Sequence, residues 1–69
     1  IEVVYDTDTH RIEVVGSESL IAEIFLYKAD GTLVDHSSII NTTYTVQTSA
    51  TYIILIQGDE WYAKGEIET

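Results

Sequence analysis

Leu20-Ile21-Ala22-Glu23-Ile24-Phe25-Leu26-Tyr27-Lys28-Ala29 admits two foldings, and the fold class depends on which one it takes. Coiled as a helix, it puts Leu20, Ile21, Ile24, Phe25 and Lys28 on one stripe, with Ser17 or Ser19 placed to cap it and Gly31 to end it. Extended as a strand, it points Ala22, Ile24 and Leu26 one way and Glu23, Phe25 and Tyr27 the other. Two features favour the strand. Ile24-Phe25-Leu26-Tyr27 is the kind of branched and aromatic run that suits a pleated, packed surface. Asp30-Gly31 followed by Thr32-Leu33-Val34 is a short-range hairpin signal.

Working outward, the strongest companion is Thr51-Tyr52-Ile53-Ile54-Leu55-Ile56-Gln57, closed by Gly58-Asp59. Its aliphatic run is too short to span a membrane, and β-branched residues pack well on a sheet. It reads as a central strand with both faces at least partly covered. Around it, Ile1–Tyr5 and His10–Val15 alternate about the turn residues Asp6-Thr7-Asp8-Thr9, giving a hairpin. Leu33 to Ile40, Thr43 to Thr48 and Trp61 to Glu68 supply further strands, with turns at Asn41-Thr42 and Gly58-Asp59-Glu60. The sum is about seven short strands, the pattern of a small all-β, antiparallel sandwich over residues 1–69 as a single domain. Its expected core is Val3, Ile12, Val14, Ile24, Leu26, Leu33, Tyr44, Val46, Tyr52, Ile54, Ile56, Trp61 and Ile67, with Ala63 and Gly65 also facing in. Tyr52 fits a tyrosine corner, its hydroxyl bonded to nearby backbone.

Composition narrows function mainly by exclusion. At 69 residues the core is small. With no cysteine there is neither a disulfide framework nor a thiolate zinc site, so packing alone must hold it. Twelve acidic residues against three basic ones give a formal charge of -9. Such a surface repels phosphate backbones and anionic lipids, so neither nucleic acid nor membrane insertion is expected. The chain opens on Ile1 rather than Met, as expected of a trimmed protein, whether by signal cleavage or by deliberate truncation.

A family pattern lies over most of the chain. Ile24-Phe25-Leu26-Tyr27 with Asp30-Gly31-Thr32-Leu33-Val34 resembles "V-x-I-x-D-x-x-G-x-x-V". Thr51–Ile56 with Gly58 resembles "G-x-Y-x-I-x-I-x-x-G", and Tyr62–Ile67 resembles a closing "G-x-F-x-I" strand. Together these are similar to small secreted immunoglobulin-like β-sandwich domains of unknown function from Bacteroides-type bacteria. They are also similar to the related C-terminal sorting domains of the type IX (Por) secretion system. Ala50-Thr51 stands where those families place glycine before the tyrosine, and the chain closes on Glu66-Ile67-Glu68-Thr69 rather than a basic tail. The resemblance implies a seven-stranded sandwich and a secreted, periplasmic or cell-surface home; it carries over no functional residue.

Chemistry-bearing clusters are sparse. Asp6, Asp8 and His10 are spaced by two and would share one side of an extended segment, as a divalent-cation site requires. They fall on the most turn-like stretch of the chain, where that parity breaks, so neither a metal nor any other cofactor is expected. His36 beside Asp35 has no nucleophile at a recognisable spacing, and a sandwich this small offers no deep cleft to desolvate a catalytic acid. The chain is therefore read as no enzyme. Parity is more informative. If Ile24, Leu26, Tyr52, Ile54 and Ile56 point inward, Phe25, Tyr27, Ile53 and Leu55 point outward. In an immunoglobulin-like order those strands are neighbours, so the four form one apolar patch with Tyr62 beside it. Patches of that kind mark partner surfaces. The expected function is a non-catalytic accessory module that contacts a protein partner, or a second copy, through this sheet face. The alternative is a carbohydrate-binding module stacking sugars on Trp61 and Tyr62.

Overall fold

Two-residue alternation governs the ambiguous segment. Ile24 and Leu26 are fully buried, while Phe25 and Tyr27 between and beyond them are only half-buried. A helical stripe would instead have buried Ile24 and Phe25 together. The computed structural model describes residues 1–69 and contains seven strands and no helix. These are β1 (Glu2–Asp6), β2 (Arg11–Val15), β3 (Glu23–Lys28), β4 (Leu33–Ser37), β5 (Thr42–Thr45), β6 (Thr51–Gln57) and β7 (Tyr62–Glu68).

The strands form two antiparallel sheets, ordered β1-β2-β5 and β4-β3-β6-β7. Three connections, β2–β3, β4–β5 and β5–β6, pass from one sheet to the other, as in an immunoglobulin-like sandwich. The fourth strand lies beside β3, in the position of the extra strand of variable-type sheets, rather than beside β5. The smaller sheet is thus one strand narrower than the sheet it covers.

Eleven residues form the core: Ile12, Val14, Ala22, Ile24, Leu26, Ile40, Tyr44, Val46, Tyr52, Ile54 and Ile56. No charged side chain is among them. Nine come from the alternating positions of β2, β3, β5 and β6 and the residue Val46 just past β5, as period two requires. Ile67 is half-buried and packs against this cluster. The Tyr52 hydroxyl accepts a hydrogen bond from the Gln47 backbone N–H at 3.0 Å, which makes Tyr52 a tyrosine corner.

Five residues expected to face into the core, Val3, Leu33, Trp61, Ala63 and Gly65, are exposed. Val3 is on edge strand β1 and stays 36% exposed, because the sheet opposite does not close over it. Together with Ile1, Ile54, Ile56, Ala63 and Gly65 it lines an open gap of about 200 Å³, so Ala63 and Gly65 are also exposed rather than buried. Leu33 is turned outward by a β-bulge. Pairing passes from Leu26↔Asp35 directly to Tyr27↔Leu33, leaving Val34 unpaired and reversing the parity of what precedes it. Trp61 falls before β7, and its indole lies over Gly58, where any Cβ would overlap it. Conversely, Ala22 and Ile40 enter the core from outside the strands.

Candidate functional site

The outer face of the four-stranded sheet is built by three strands in strict register. Phe25 lies across from Leu55 and Tyr27 across from Ile53, so four large apolar side chains form a square on adjacent strands. On β7, Lys64 lies across from Leu55, Tyr62 from Gln57 and Glu66 from Ile53. The bulge adds Leu33 opposite Tyr27 on the other side. This side of the sheet is uncovered: Tyr62 is 71% exposed and Leu33 52%.

The aromatic rings order one end of the face. Phe25 and Tyr27 are stacked, with centroids 6.3 Å apart and planes at 18°. The imidazole of His36, the cross-strand partner of Phe25, leans over the same phenyl ring at 4.8 Å. Its Nε2 stands 3.4 Å from Glu23 Oε1, a partly exposed contact that is ionic when the histidine is protonated. At the other end, Tyr27, Gly31, Ile53, Leu55, Tyr62 and Lys64 line an open depression of about 560 Å³. The surface therefore has an apolar, aromatic centre and a charged rim of Glu23, His36, Lys64 and Glu66. It is shaped to bury hydrophobic area and pair charges at the border.

Every residue expected on this face, Phe25, Tyr27, Ile53, Leu55 and Tyr62, is placed on it. Leu33 and His36 join them unforeseen. The bulge that turns Leu33 outward follows an Asp-Gly turn, and His36 is placed by register, neither of which alternation alone displays. Trp61 and Tyr62 do not form a common platform. Tyr62 belongs to the outer face of β7, whereas the Trp61 ring rests on the backbone of the preceding turn.

The remaining polar clusters are structural in geometry. Asp6 Oδ1 accepts from the Asp8 backbone N–H at 2.9 Å, and that bond holds the Asp6 carboxyl below its ordinary 3.8. The Tyr5 hydroxyl lies 3.3 Å from His10 Nδ1, and His10 itself adopts a left-handed φ of 54°. The turn thus ties Asp6 and His10 to different partners, and no three histidine or carboxylate side chains converge on a common point. In the β3–β4 turn, Asp30 Oδ1 accepts from the Thr32 N–H at 2.9 Å, and hydrogen bonding to Thr32 lowers the Asp30 pKa. Tyr44 is pushed the other way, up from 10.0, by burial and then by the charge of Asp35. Its hydroxyl oxygen is buried without a hydrogen-bond partner.

No helix is long and apolar enough to cross a membrane. Comparison with protein-family models, with curated proteins and with solved structures gives no match for this chain.

Proposed function

We propose that this protein is a non-catalytic, secreted interaction module whose partner is another protein, bound on the outer face of the four-stranded sheet. The carrying observation is the square of Phe25, Tyr27, Ile53 and Leu55 on adjacent strands with Tyr62 exposed beside it. Those four side chains are already half-buried in the sheet, so covering the rest yields roughly 1 kcal/mol each before the entropic penalty of association. The flat, open shape favours a protein surface over a small molecule, which is held in deeper, more enclosed sites. A secreted or cell-surface home accords with the family resemblance of the strands.

The test is light scattering and binding with Phe25→Glu and Leu55→Glu. Each places a charge in the centre of the face, and each is expected to abolish partner binding while leaving the circular dichroism spectrum unchanged. Binding that survives both substitutions rules the face out. A second reading, carbohydrate stacking, is favoured by the exposure of Tyr62 and the 39% exposure of Trp61. Sugar-dependent quenching of the single tryptophan, Trp61, lost in Tyr62→Ala, would select it instead.

A further inference from the structure

The edge of the same sheet carries a second kind of complementarity, in the backbone groups and charges of the strand that borders the apolar face. Strand β7 pairs with β6 without interruption from Thr51↔Glu68 to Gln57↔Tyr62, and its other edge is free. Which backbone groups point to that free edge follows from the flanking bonds. Gly58 N donates to Trp61 O at the turn, and Thr69 N donates to Ala50 O at the far end. Odd-numbered residues of β7 therefore turn their N–H and C=O toward β6, and Tyr62, Lys64, Glu66 and Glu68 turn theirs to solvent.

We propose that β7 pairs with β7 of a second copy, antiparallel about Gly65, joining two four-stranded sheets into one continuous sheet. In that register Lys64 meets Glu66 of the second copy, twice by symmetry, and Tyr62 meets Glu68. The solvent-facing backbone groups of all four residues then become the narrow, hydrogen-bonded pairs of the new ladder. On the inner side Ala63 meets Ile67, and Gly65 meets Gly65, leaving room for close approach. Centring the pair on Lys64 sets two lysines face to face. Centring it on Glu66 sets two glutamates face to face, although Lys64 then meets Glu68. An odd shift puts outward N–H groups against side chains facing the wrong way. Only the register about Gly65 pairs the lysines with glutamates and opposes no like charges. The other edges lack this charge pattern: self-pairing of β1 about Val4 sets Glu2 against Asp6, β4 is bulged, and β5, Thr42–Thr45, has no charged residue to fix a register.

The test is sedimentation velocity from micromolar to millimolar protein on the wild type, Lys64→Glu, Glu66→Lys and the doubly exchanged chain. The wild type is expected to form a dimer, twice 7.7 kDa. Each single reversal replaces two attractive pairs by repulsive ones and is expected to raise the dissociation constant by about tenfold or more. The double exchange restores opposite charges and is expected to recover the dimer. A monomer at every concentration overturns the proposal, as does a dimer indifferent to the reversals or one the double exchange does not rescue. A dimer lost only on Phe25→Glu assigns self-association to the sheet face instead and likewise overturns it. Survival of the β7 dimer in Phe25→Glu separates this pairing from the proposed face.

Discussion

Two buried tyrosines in this core have opposite hydroxyl environments. Tyr52 OH accepts the Gln47 N–H, closing the loop between β5 and β6, whereas Tyr44 OH is buried with no such bond. Removing one oxygen should then have opposite consequences. Tyr52→Phe leaves a backbone N–H without its partner and is expected to lose about 1 kcal/mol, or roughly 4–8 °C in melting temperature for a domain this size. Tyr44→Phe removes a desolvated hydroxyl that has the Thr42 and Ser37 side chains near it but no well-formed hydrogen bond, and is expected to leave stability unchanged or raise it by up to about 1 kcal/mol. Thermal melts of the two variants side by side decide the matter; equal losses would contradict it. Tyr52 was legible as a corner because it stands at the start of the strongest strand, after a turn. Trp61 was not, because nothing in its own neighbourhood states that Gly58 offers a bare backbone for an indole to rest on.

Among the elements, strand positions were readable wherever both neighbours were strands and the alternation ran unbroken. Thr51–Gln57 is the clearest instance, with Tyr52, Ile54 and Ile56 all buried as expected. Alternation fails where a turn inserts a residue. The Asp30-Gly31 turn was legible; the bulge it feeds was not, since pairing is a property of two strands at once. Gly31 adopts φ 92°, and a Cβ built there meets nothing within 4 Å. Its requirement is therefore one of backbone conformation alone. Gly31→Ala is expected to destabilise by about 1 kcal/mol, with Gly31→Asn intermediate because asparagine tolerates the left-handed region better. Urea unfolding of the three chains checks the order; Ala matching Gly would contradict it. The inner sides of edge strands β1 and β7 face one another across an open gap instead of closing on the core, so Val3, Ala63 and Gly65 remain wet.

For the molecule as a whole, charge rather than topology sets the response to solvent. A net charge of -9 on 69 residues repels itself, and the one close ionic contact, His36 with Glu23, is partly exposed. Salt should therefore help more than it harms. The melting temperature is expected to rise by several degrees from about 10 mM to about 500 mM sodium chloride, as the Debye length falls from roughly 30 Å to below 5 Å. A fall over that range would mean that attractive pairs dominate. The acidic balance was plain from composition and the all-β class from alternation; the apolar outer face was legible as a set of outward residues but not in its full extent. The bulge at Val34 also bears on how far assembly proceeds. A sheet with two regular borders could add copies head to tail without end, as fibres do. Here one border is irregular; if the other pairs with its own copy as proposed, this sheet has no regular border left for a third, and growth along it ends at two.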